Sequence, residues 1–356
     1  MRLASIESTR VLAILAVMVI HISPFANPFD PTVWADPVSV VIGGFLNQVT
    51  RFAVPFFFLC AGFFLQPRLQ AGDALGVSWR YSRPLLLLWA GWSLIYILAP
   101  FNPPMVFEVG YQAAMQPQWQ MLLSDLLNQW WVGGMVHLWF LPALVLAVLI
   151  QALCYHLQRP HWALFAGGVL FLLALLGGSY AKPLLGEEWK LLTRNGPFFS
   201  LLFVALGCHL RHCEWRLKST MALLLMLSGM ALYALEAILL WQLDGVPLNR
   251  HDFLLGSVPW ALGLFLWLLA NPDWGRGSWL ERQAPKVLGL YCLHMLLVIW
   301  IFPLSMMWHS PWWELGKVLL LWVLAWGLYG LLAAIPGGIR LLRLPARRTA
   351  FAERNT

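Results

Sequence analysis

Long apolar runs, separated by short polar or tryptophan-rich breaks, organise the whole chain. They fall at 6–25, 38–65, 84–100, 137–155, 161–179, 197–210, 219–241, 253–270, 286–305 and 313–335. Most hold the ~17–25 mainly apolar residues that a helical bilayer crossing requires. The pattern predicts an all-α, polytopic membrane protein with about ten transmembrane helices. The second run is interrupted by Asn47, Gln48, Thr50 and Arg51, which predicts a kink or a break. Irregular backbone at membrane depth is tolerated only against protein or a wet cavity. The longest segment between runs, 101–136, contains no Lys or Arg and is rich in Trp, Gln and Met. It is expected to lie on the interface or to cover a site, and tryptophans beside amides suit either anchoring or sugar recognition.

The first run carries polar groups at helical spacing. Arg10 and His21 are eleven residues apart, a rotation of about 1,100°, within about 20° of three turns, and roughly 16 Å along the axis. They therefore share a face, and Glu7, three residues before Arg10, lies near the same stripe. An ionisable group inside a membrane helix costs on the order of 2.5–3.5 kcal/mol and marks a functional candidate. The competing reading is a histidine satisfied by a neighbouring helix.

Composition sharpens the class. Of 356 residues, 60% are hydrophobic and 11% charged, against about 25% charged in soluble domains, and the mean hydropathy is +0.70. The 22 tryptophans suit aromatic belts at both interfaces. A net charge of +7 would fit nucleic-acid binding, but most of the Lys and Arg fall in alternate loops, as the positive-inside rule demands. That distribution puts both termini in the cytoplasm and leaves no nucleic-acid partner. Residues 1–340 form one transmembrane domain, followed by a basic cytoplasmic tail at 341–356. The five cysteines lie mostly in apolar runs and read as core residues. No small-x-small cleavage site follows the first run, so it is expected to be retained.

Four segments carry a resemblance. Arg10 through His21, preceded by Ile6-Glu7-Ser8-Thr9, resembles the arginine, ten residues, histidine signature of the bacterial membrane acyltransferase-3 family. Thr50-Arg51-Phe52-Ala53-Val54-Pro55-Phe56-Phe57-Phe58 with Gly62-Phe63, His137-Leu138-Trp139-Phe140-Leu141, and Leu288-Gly289-Leu290-Tyr291-Cys292-Leu293-His294 resemble three further family elements in the same order. The resemblance implies a ten-helix enzyme of the bacterial inner (cytoplasmic) membrane. It implies acetyl-CoA as acyl donor and a hydroxyl of a cell-surface or exported glycan, or a lipid-linked sugar, as acceptor. Glu7 stands where Asp is commoner and Ala61 where Ser is frequent.

Acyl transfer to a hydroxyl needs a base, cations for the CoA phosphates and donors for the oxyanion. His21 is the expected base, because imidazole titrates near neutrality, with Arg10 and Glu7 beside it in the catalytic set. Arg10, Arg51, Arg80 and Arg83 are the expected donor-binding residues, whose planar guanidinium forks suit phosphate oxygens. For Arg68, topological charge is the better reading. His137, Trp139, Glu236 and His294 are substrate-binding candidates, with His294 also readable as structural and Arg51 as a partner for Glu236. Cys208-His209-Leu210-Arg211-His212-Cys213 packs four potential metal ligands into six residues, but zinc sites usually pair separated clusters, so no metal is expected. His251-Asp252 reads either as a base with its orienting acid or as helix-entry polarity, Asp252 then lying near an N-cap. A transporter or exporter lined by Arg51, Glu236 and His294 is the alternative from another class. Composition says nothing of the oligomeric state.

Overall fold

A computed structural model describes residues 3–26, 34, 36–245, 248 and 251–342. Arg2, Arg250 and the tail arginines from Arg343 onward lie outside the described residues. In chain order the helices are α1 (Ala4–Ile22), α2 (Pro37–Val49), α3 (Ala53–Gln70), α4 (Ala74–Leu98), α5 (Pro103–Val109) and α6 (Tyr111–Ser124). They continue as α7 (Leu126–Val132), α8 (Phe140–His156), α9 (Trp162–Gly177), α10 (Ala181–Leu185), α11 (Pro197–His212) and α12 (Ser219–Asp244). The last are α13 (Ser257–Ala270), α14 (Trp279–Gln283), α15 (Val287–Met307), α16 (Pro311–Ala334) and α17 (Ile339–Leu342). Every regular element among the described residues is helical.

All ten apolar runs became helix, but not all are long enough to cross a membrane by themselves. Six stretches are long and apolar enough: Ala4–Ile22, Pro37–Gln70, Val136–His156, Ser219–Leu243, Trp279–Ser305 and Pro311–Ala334. A seventh is α4 taken with α5, a pair bent by 44°. The runs at 161–179 and 253–270 contain the shorter apolar helices α9 and α13, and α11 has 16 residues.

The second run does break, and the cause is Pro55. Its ring nitrogen cannot donate to the Arg51 carbonyl four residues back, and the ring crowds that carbonyl. Helical bonding resumes one residue on, with Phe56 N–H on Phe52 O at 3.0 Å. Thr50 Oγ1 donates back to Asn47 O at 2.7 Å, inside the last turn of α2.

The segment 101–136 is helical rather than a loose loop. Gln118 Nε2 donates to Tyr96 O at 2.8 Å, Trp119 Nε1 to Ile97 O at 3.0 Å and Tyr111 OH to Leu98 O at 2.8 Å. These side chains satisfy the last carbonyls of α4, which have no intrahelical donor. Of the segment's amides and tryptophans, Gln118 and Trp119 are thus engaged in capping α4.

α1 sits among α3, α13, α14, α15 and α16 and is pinned at both ends. Near its start, Ser5 Oγ donates to Leu268 O at 2.8 Å and Ser8 Oγ to Gly275 O at 3.3 Å. Beyond its end, Phe25 N–H donates to Glu314 Oε2 at 2.7 Å. Glu314 also holds Lys317 Nζ at 2.6 Å, with each side chain 1% exposed. α3 and α11 meet backbone to backbone: a Cβ on Gly62 would overlap the Val204 carbonyl, and one on Gly207 the Leu59 carbonyl. Small residues allow such close approach of membrane helices, where dispersion rather than water exclusion drives association.

Candidate active-site cavity

A cavity of about 370 Å³ runs alongside α1, between α3, α4, α8 and α15. Ligand pockets for small molecules begin near about 300 Å³. Its polar lining is concentrated at two ends. Glu7, Arg10 and Arg68 line one, and His21, His137, Trp139 and Tyr291 the other, with an apolar wall from Val17, Val54, Phe57, Phe64, Leu144 and Val287 between. The α1 members fall at positions 7, 10, 17 and 21, one stripe of a 3.6-residue helix. Arg10 Nη1 donates to Glu7 Oε2 at 3.0 Å, with the arginine side chain 30% exposed.

Three imidazoles converge at the other end. Ring centroids lie 5.0 Å apart for His21 and His294, 5.1 Å for His137 and His294, and 6.1 Å for His21 and His137. His294 Nε2 stands 3.0 Å from His21 Nδ1, and His294 Nδ1 stands 2.7 Å from Tyr291 O, the carbonyl one turn back. His137 Nε2 is 3.3 Å from Cys292 O, and the Tyr291 hydroxyl donates to His137 O. Tyr96 OH also donates to Cys292 O, at 2.7 Å. His137 opens the chain into α8 on a single 3-10 turn, Val136–Trp139, which aims it inward.

Other candidates are placed elsewhere. Arg80 and Arg83 are exposed on α4 and do not line the cavity, whereas Tyr81 and Leu85 of that helix do. Arg68 lines it instead. The signal for Arg68 was in the sequence: Val54, Phe57, Ala61, Phe64, Leu65 and Arg68 recur at three- and four-residue steps along α3. Ala61 contributes a methyl to the wall where the resemblance leads one to expect a hydroxyl.

Arg51 lies outside this lining. Its Nε donates to Asn47 Oδ1 at 2.8 Å, and its Nη1 is 3.8 Å from Asp252 Oδ1. Asp252 also accepts from Arg194 Nη1 at 2.7 Å. Asp252 is therefore an ion-pair hub; the N-cap of α13 is Gly256, so the helix-entry reading is corrected. The suggested Arg51–Glu236 pair is corrected as well. Glu236 Oε1 accepts from Tyr180 OH at 2.9 Å, and Oε2 from Gly256 N–H at 3.0 Å.

Fold and cavity together define a multi-pass helical membrane protein with an arginine-mouthed, histidine-ended internal chamber. The chain belongs to the acyltransferase-3 family: that family's profile, an acyltransferase domain, matches residues 3–336. Among curated proteins, an amino-acid racemase of Enterococcus faecalis is 26% identical over 324 residues, 85% of this chain and 42% of that protein. A serine/alanine racemase of Enterococcus gallinarum is 28% identical over 313 residues, 83% of this chain and 40% of that protein. The chain thus spans about two-fifths of the length of these relatives. No solved structure matches.

Proposed function

We propose that the protein transfers an acyl group, acetyl by default, from acyl-CoA to a hydroxyl of a glycan or lipid-linked sugar at the bacterial inner membrane. The observation that carries this reading is a single cavity joining Arg10 to His21. A guanidinium at the mouth suits the phosphates of the donor, and an apolar wall suits its extended arm. In the reaction, the acceptor O–H and the donor thioester become an ester and a thiol. His21 takes the hydroxyl proton as the oxygen forms its bond to the acyl carbon, and the proton ends on the departing sulfur. Ten crossings with both termini in the cytoplasm would bring the Arg10 end to the compartment that supplies acyl-CoA.

Racemase names whole proteins of which this chain matches two-fifths. The shared stretch is mostly the one covered by the acyltransferase family, so no racemisation is assigned here. Neither Arg51 nor Glu236 lines the cavity, which favours acyl transfer over the transporter alternative.

The test is acetyl-CoA binding and CoA release by the purified protein. His21→Ala is expected to retain binding and lose about 10²- to 10⁴-fold in turnover, the usual contribution of a general base. Arg10→Ala is expected to weaken binding about tenfold or more, the loss of a charge-assisted hydrogen bond. A wild type that neither binds nor hydrolyses acetyl-CoA overturns the donor; full activity of His21→Ala overturns the base.

A further inference from the structure

The hydrogen bonds of the three clustered imidazoles, His137 and His294 buried and His21 half-buried, fix where their protons are. A backbone carbonyl carries no proton, so an imidazole nitrogen bonded to one must be the donor. His294 Nδ1 is 2.7 Å from Tyr291 O and therefore bears a hydrogen. In the neutral ring its Nε2 is then a lone pair. That lone pair lies 3.0 Å from His21 Nδ1, so His21 carries its proton on Nδ1 and its Nε2 is left unprotonated. His137 is set the other way round. Its Nε2 meets the Cys292 carbonyl at 3.3 Å, which leaves Nδ1 as a lone pair, and that buried atom has no hydrogen-bond partner.

We infer that His294 is a positioning residue which holds His21 in the Nδ1–H tautomer, so that His21 presents an imidazole lone pair, and no N–H, to the cavity it lines. With both nitrogens engaged, His294 is not itself the base. The group that meets His21 Nε2 is a hydrogen-bond donor, as a sugar hydroxyl would be, and not a carboxylate or a carbonyl. Stabilisation of a developing oxyanion then falls to groups other than these rings. The functional half of this inference rests on the acyl-transfer reading; the tautomers do not.

The experiment is nitrogen NMR of the full-length protein labelled at histidine, with signals assigned by their loss in single variants. Wild type is expected to show His21 and His294 as Nδ1–H tautomers and His137 as Nε2–H. His294→Leu is expected to release His21 from that tautomer and to lower kcat by about 10²-fold or more while KM for acyl-CoA changes less than about threefold, since a wrong tautomer impairs proton transfer and not binding. His294→Gln, whose amide offers both an acceptor oxygen and a donor N–H, is expected to restore the His21 tautomer and much of kcat. His21 found as Nε2–H in wild type overturns the inference even if His294→Leu does not fold. So does a His294→Leu enzyme with unchanged kcat. If the tautomers are as expected and no acyl-CoA turnover is found, the donor assignment fails and the positioning role stands.

Discussion

At the scale of single residues, side chains of one type divide by the helix face they occupy. Arg68 and Arg10 border the cavity, while Arg80 and Arg83 flank the lining residues Tyr81 and Leu85 and point away. One position along a helix turns a side chain by about 100°, enough to move it off a narrow stripe. Arg68→Ala is therefore expected to raise KM for acyl-CoA by about tenfold with kcat little changed, as for the loss of one charged hydrogen bond. Arg80→Ala and Arg83→Ala are expected to stay within about twofold, as surface charges do. Steady-state kinetics on the three variants decides it, and a larger effect at Arg83 than at Arg68 would reverse the assignment. The Glu7–Arg10 pair was legible in the sequence because its partners are three residues apart. The Arg51–Asp252 pair was not, because its partners are 201 residues apart.

At the scale of elements, α1 is a rod held at both ends, and the hold on its C-terminal side is electrostatic. Glu314 and Lys317 are a fully buried pair, and the same carboxylate receives the Phe25 N–H four residues after His21. Removing one member of a buried pair strands the other's charge and typically costs about 3–5 kcal/mol. Glu314→Gln is expected to lower the unfolding midpoint in detergent by several degrees or more, while Glu314→Asp retains part of the stability. Unchanged thermal unfolding of Glu314→Gln would show that the lysine finds water or another acid. The membrane helices were readable at this scale from the length of the apolar runs. The length of each helix was less so, because α9, α11 and α13 are shorter than a full crossing and depend on neighbours to complete their burial.

At the scale of the whole molecule, the proposed orientation makes the segment after α11 cytoplasmic and the α6–α7 turn external. Cys213 is the exposed native cysteine, with Cys60, Cys208 and Cys292 buried and Cys154 half-buried. A membrane-impermeant thiol reagent is expected to label Cys213 in inverted vesicles and to spare it in intact cells. Ser124→Cys, at the exposed end of α6, is expected to show the opposite pattern in a Cys213→Ser background. Labelling of both from one side would break the proposed topology. The cavity places a further demand on the assembled bundle: α3 must approach α11 at the Gly62–Val204 and Gly207–Leu59 contacts to set the wall that carries Arg68.

The amino-acid sequence by itself determined that this chain is helical, that it enters a membrane, and that Arg10 and His21 share a face. Each follows from local physics: backbone groups in lipid must be satisfied within the helix, and 3.6-residue periodicity sorts side chains along a rod. The tertiary structure alone decided that His294 reaches His21 across 273 residues, that His137 joins them, and that Asp252 rather than Glu236 receives Arg51. Those contacts arise where separate helices pack, and no local period encodes which faces meet. The protons of the histidine cluster belong to the same class, because they are set by the backbone carbonyls of α15 against which the rings are pressed.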